Sequence, residues 1–243
     1  MKFMVVLVCL LLQRYWAQGA HWHSRDQLEL YFKKIEKISL FKQTSSLVQL
    51  LIRWLSLPLL LLVLSLFVKW SLGVFIEFLL NVAVLWYCLS LDSLQEAEDP
   101  ARYFEGVYER VFAMMFWYIL LGVFGAALYY MITEIKERVA VKSASQLPLV
   151  EKIQAIMDWL PIRLLGISFA LVGHFSSVFS SWLNELTSGL STSHRQISKW
   201  GMEALNGHSK EKSSSQEAKM LVERALLLWL VALALISIGT VIG

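Results

Sequence analysis

Apolar residues in this chain gather into long runs instead of alternating with polar ones. Residues 50–68 and 72–91 are almost uninterrupted and are parted only by Lys69-Trp70-Ser71; 111–131 and 225–242 repeat the pattern. A helix of about 20 apolar residues is long enough to cross the hydrocarbon core of a bilayer. A further run, 162–180, is broken up by Ser168, His174, Ser176 and Ser177 and is the weakest of the set. The pattern predicts an all-α fold: a polytopic helical membrane protein with about five spans and an N-terminal apolar helix over 3–12, forming one domain over 1–243.

The segments between the runs have their own patterns. Ser24-Arg25-Asp26-Gln27 has the form of a capping box. It opens an amphipathic helix over 24–41, with Leu28, Tyr31, Phe32, Ile35 and Ile38 on one face and Lys33, Lys34 and Lys37 on the other. Such a helix lies on the membrane surface or on its neighbours, or docks a partner. Asp99-Pro100 marks a helix start from which one helix is expected to run to about Arg138. Glu105 and Glu109 fall one turn apart on it and are expected to form a solvated face rather than a cation site. Residues 132–161 read as a polar connection, and 181–224 as a polar linker with a flexible stretch at Ser209–Ser215. Gly122 with Ala126, and Gly166 with Ala170, have the small-xxx-small spacing of close helix contacts, including contacts within an oligomer.

Composition sharpens this picture. Hydrophobic residues make up 57% and charged ones only 17%, whereas soluble domains carry about 25% charged residues. Mean hydropathy is +0.56. The net charge of +3 is spread over several loops, which excludes a nucleic-acid surface as the organising feature. If 162–180 spans, residues 1–49, 92–110 and 181–224 share a side carrying 15 Lys and Arg against 5 on the other; if it does not, the tally is 9 against 12. The first arrangement obeys the positive-inside rule, so basic segments are expected to be cytoplasmic and Asp158 to Arg163 to lie at the periplasmic mouth. Cys9 and Cys88 fall inside apolar runs and read as small hydrophobes, not as a disulfide or metal ligands. Residues 2–20 also have the pattern of a signal peptide, with Ala17-Gln18-Gly19-Ala20 as a small-residue site.

Candidate chemistry concentrates in Asp158, Trp159, Pro161 and Arg163. An acid, an indole, a proline and a guanidinium just before an apolar run suggest a helix entrance, with Pro161 in the first turn and Asp158 offering oxygen to its unpaired amides. Asp158 and Arg163 are close enough in sequence to pair, and arginine suits a carboxylate or phosphate ligand; the plainer reading is that Arg163 anchors the interface. His174 lies about 16 Å further along such a helix. Glu77 is a carboxylate within an apolar run, either near the interface or functional. His21 and His23 alternate in a turn-like stretch, where zinc binding by two ligands alone is not expected. No nucleophile elbow, phosphate loop or metal-ligand spacing occurs, so no catalytic residue, metal or cofactor is assigned.

Three passages together resemble one family. They are Ile156-Met157-Asp158-Trp159-Leu160-Pro161-Ile162-Arg163-Leu164-Leu165-Gly166 with its continuation to Phe175; His21-Trp22 through Leu28, Phe32, Lys33 and Lys34; and Phe112-Ala113 through Phe116-Trp117, Leu121-Gly122 and Gly125-Ala126-Ala127-Leu128-Tyr129. These resemble the AmpE family, inner-membrane proteins of Gram-negative bacteria within the wider group of adenosylcobinamide-phosphate synthases. The resemblance implies a retained N-terminal helix, a multi-pass inner-membrane location surrounded by lipid, and candidate motif residues His21 and Trp22. It implies an accessory or signalling role in β-lactamase induction and cell-wall recycling, without demonstrated chemistry of its own. A muropeptide, whose carboxylates Arg163 would bind, or the pathway of a recycling amidase would be the partner. The alternative is an amide-forming enzyme of cobalamin synthesis, but this chain has Gly19-Ala20-His21-Trp22 where those enzymes carry Gly-Asp-Pro and His-Pro-Val patterns. A transporter would need several buried polar groups, for which Glu77 and His174 are the candidates.

Overall fold

The structure, a computed structural model, describes residues 2–16, 34, 46–71, 73–89, 99–142, 146–186, 193–206 and 215–242. The capping box at Ser24, all of the 24–41 helix except Lys34, the motif residues His21 and Trp22, and the 209–214 part of the serine-rich stretch lie outside these residues. The described residues are helical almost throughout. The helices are α1 (Lys2–Trp16), α2 (Ser46–Ser71), α3 (Val74–Cys88), α4 (Pro100–Val107), α5 (Ala113–Leu121), α6 (Val123–Lys142), α7 (Leu147–Val172), α8 (Phe175–Glu185), α9 (Ser193–Asn206) and α10 (Ser215–Ile242). Among the described residues, α2, α7 and α10 are each long and apolar enough to cross a membrane.

The α2–α3 hairpin forms as expected, but α3 has only 15 residues, about 22 Å of helix. Helix α1 packs along α3, with the Cys9 thiol donating to the Val82 carbonyl. This packing sets Lys2 beside the α2–α3 turn, where its ammonium donates to the Ile119 and Leu120 carbonyls at the end of α5. A cation on the last carbonyls of a helix satisfies acceptors that have no intrahelical partner. Lys2 therefore sits at the same end as Lys69.

The long helix expected from Pro100 to about Arg138 starts as read: Asp99 caps it by accepting from the Ala101 amide, and Pro100 opens its first turn. Two breaks divide it. Residues Tyr108–Phe112 form a π turn, closed by the Ala113 amide donating to the Tyr108 carbonyl. At Gly122 the chain turns, with φ 69° and ψ −149°, a left-handed conformation open to glycine because it lacks a Cβ. Helix α6 then packs on α5. Gly122 is thus a turn residue rather than half of a helix-contact motif.

Three further expectations change. The supposed polar connection 132–161 is mostly helix, since α6 runs to Lys142 and α7 begins at Leu147 with a proline in its first turn. The run 162–180 is not one helix: α7 stops at Val172, and α8 starts at Phe175 after Gly173-His174. A Cβ on Gly173 would lie 2.6 Å from the Ala204 carbonyl oxygen, so the close approach of α9 requires glycine there. Much of the supposed linker 181–224 is packed helix as well, because α9 buries Ile197, Trp200 and Ala204 and α10 starts ten residues earlier than its apolar run. Amphipathic patterning explains why these segments looked polar: their buried residues are spaced along one face.

Helix α7 is the hub, packing against α6, α8, α9 and α10. Phe104 meets Phe169 edge to face at 5.4 Å, and Phe112 meets Trp229 in the same way at 5.4 Å. The Trp229 indole donates to the Ser168 hydroxyl, which donates back to Leu164. Outward faces of α2, α3 and α10 expose Leu60, Val63, Phe67, Phe75, Leu235 and Ile236, as lipid contact demands of a membrane protein.

Candidate functional site: a carboxyl group sealed in the bundle

Asp158 sits near the middle of α7, a helix of 26 residues, and is fully buried. It does not cap a helix start. Pro161 lies inside the same helix, whose first turn is some fourteen residues upstream and is supplied by Pro148 instead. Membrane helices tolerate such internal prolines because neighbours compensate for the lost amide.

One oxygen of the Asp158 carboxyl group accepts two phenolic hydroxyls, from Tyr108 at 2.6 Å and from Tyr129 at 2.7 Å. Both tyrosines are completely buried. Tyr108 is the first residue of the π turn, a feature that inserts a residue into the helical register and often marks functional positions. Burial pushes the Tyr108 phenol well above its usual range, and Tyr129 and Asp158 push it further the same way. The phenol therefore remains a donor at any physiological pH.

The network continues outward. Gln154, one turn before Asp158, lies beside the Tyr129 phenol and donates to Glu109 at 2.7 Å. Glu109 also meets Lys136 at 3.6 Å at the partly exposed edge of the bundle. Glu109 is thus the outer end of a polar chain, not part of the solvated face expected beside Glu105. A file of neighbouring polar side chains from the π turn, α6 and α7 leads from the interior to the rim.

Arg163 faces elsewhere. Its two terminal nitrogens donate to the carbonyls of Trp159 at 2.8 Å and Leu186 at 2.9 Å. Its guanidinium lies 4.3 Å over the Trp159 ring. The Trp182 indole donates to the Arg163 carbonyl. Arg163 and Trp159 therefore clamp α7 to the last turn of α8, and the expected Asp158–Arg163 pair does not form. Five positions along a helix correspond to about 140° of rotation, which turns the two side chains apart. Asp158 and Arg163 both lie well inside α7 rather than at its start.

His174 joins the α7–α8 break to α9: its backbone amide and its Nδ1 both lie within about 3.1 Å of the Ala204 carbonyl. It lines a cavity of about 330 Å³ with Glu217 and Arg224. Glu77 is in the first turn of α3, remote from Asp158, and lines a larger cavity. Those of the sequence-predicted residues that are described are thus divided among four places. Tyr108, Tyr129 and Gln154, which complete the Asp158 site, were not singled out by the sequence. The available signals were the four-residue spacing of Gln154 and Asp158 and the phenols within apolar runs, where a buried hydroxyl needs a partner. No group of three or more His, Cys, Asp or Glu able to hold a metal occurs among the described residues.

No curated protein and no solved structure matches the chain. Residues 90–242, which contain the entire Asp158 network and the Arg163 clamp, match the family described as "Regulatory signalling modulator protein AmpE". With well over half its length matched, the chain belongs to the AmpE family of regulatory signalling modulators.

Proposed function

We propose that this protein is a multi-pass protein of the bacterial inner membrane that modulates β-lactamase induction through cell-wall recycling, acting as an accessory component without catalysis of its own. A muropeptide, or a recycling amidase acting on one, is its proposed partner. The observation that carries this reading is the sealed Asp158 network within the family-matched region. Its carboxyl group is shared by two phenols and walled off from the surface, an arrangement suited to coupling helices rather than to attacking a substrate. The relay through Gln154 to the Glu109–Lys136 pair gives a change at the rim a route to the packing of α4, α6 and α7. Buried polar networks of this kind respond as units, because each member depends on its neighbours.

The test is deletion of the gene in its native bacterium, followed by β-lactamase activity with and without a sub-inhibitory β-lactam. Deletion should change induction, and wild type should restore it. Asp158→Asn, verified by its amount in the membrane fraction, should restore it several-fold less well. Induction untouched by the deletion would overturn the reading.

A further inference from the structure

A cavity of about 510 Å³ lies between α1, the facing ends of α2 and α3, and the α5–α6 turn. Its polar lining comes from Lys2, Ser65, Lys69, Glu77, Asn81 and Tyr118. Three of these groups are held in place. Lys2 is fixed on the α5 carbonyls, Tyr118 donates to the Asn81 side chain at 2.9 Å, and that amide donates to the Glu77 carbonyl at 2.7 Å. Lys69 and the Glu77 carboxylate make no ion pair with another described residue. Two cations and an anion thus face one space without neutralising each other.

We propose that this cavity binds the headgroup of an amine-bearing phospholipid, with the phosphate against Lys69 and Lys2 and the ammonium against Glu77. The chemistry is that of a phosphate ester joined to a primary amine, and the surroundings select its lipid form. Leu62, Val74 and Phe78 line the cavity. Outside it, α2 and α3 expose Leu66, Phe67 and Phe75, a surface along which acyl chains can lie. Trp70, next to Lys69, is 89% exposed, as an indole at the headgroup level would be. Charge-assisted hydrogen bonds to phosphate and ammonium supply the discrimination.

The test uses the full chain in nanodiscs of phosphatidylethanolamine, phosphatidylglycerol and phosphatidylcholine with matched acyl chains, with retained lipid identified by native mass spectrometry. Wild type should retain phosphatidylethanolamine about tenfold over phosphatidylglycerol, the discrimination expected of one hydrogen bond to a charged group. Glu77→Gln should erase that preference, and Lys69→Gln should lower retention of both lipids. Glu77→Gln is nearly isosteric, so its result stands even if Lys69→Gln fails to fold. Equal retention of all three lipids by wild type, or an unchanged preference in Glu77→Gln, would overturn the proposal. Soluble phosphoethanolamine should displace the lipid only weakly; displacement at concentrations equal to the lipid's would overturn the lipid assignment in favour of a soluble ligand.

Discussion

Asp158 and Glu77 are both carboxylic residues set in apolar helices, and their surroundings treat them oppositely. Asp158 is buried among groups that supply its hydrogen bonds, at the hub of the family-matched region. Glu77 precedes that region and faces a cavity in which nearby lysines leave it unpaired. The contrast shows that an acid inside an apolar run has two physical solutions. Either the fold satisfies it internally, and it becomes part of the packing, or it stays beside open space and awaits something from outside.

This comparison can be broken by stability measurements on the purified protein in mixed micelles. Asp158→Ala should have the largest effect, about 3 kcal/mol of destabilisation, because two buried phenols lose their shared acceptor. Gly166→Val should follow at about 2 kcal/mol, since a Cβ there would come within 2.7 Å of the Trp200 ring and 2.8 Å of Trp182. Tyr108→Phe and Tyr129→Phe should cost about 1.5 kcal/mol each. Because both donate to the same oxygen, the double variant should depart from the sum by about 0.5 kcal/mol or more. Glu77→Gln should change stability by less than about 0.5 kcal/mol, as expected of a group outside the packed core. A Glu77→Gln loss as large as that of Asp158→Ala would erase the distinction between the two sites.

Much of the fold was legible because membrane helices carry long apolar runs: α2, the α2–α3 turn and the apolar part of α10 stand close to where the runs place them. The Asp99-Pro100 start of α4 was equally readable, since capping is a local interaction. Hydropathy was silent wherever a helix was amphipathic or crossed from polar into apolar sequence. Hence the start of α7 at Leu147 was concealed, and Asp158 looked like a residue at an entrance. An interior position for it makes sense only once Tyr108 and Tyr129 are brought alongside from other helices.

The sequence by itself determined that this chain is an all-helical membrane protein of the AmpE family, because apolar runs and family motifs are properties of contiguous residues. Tertiary structure alone decided which polar groups meet. The π turn at Tyr108 and the turn at Gly122 bring α4–α5 and α6 against α7 to enclose Asp158. Arg163 instead reaches the end of α8, and Lys2 joins Lys69 and Glu77 around one cavity. Those contacts join residues tens of positions apart, and a one-dimensional pattern holds no information about the angle at which two helices cross.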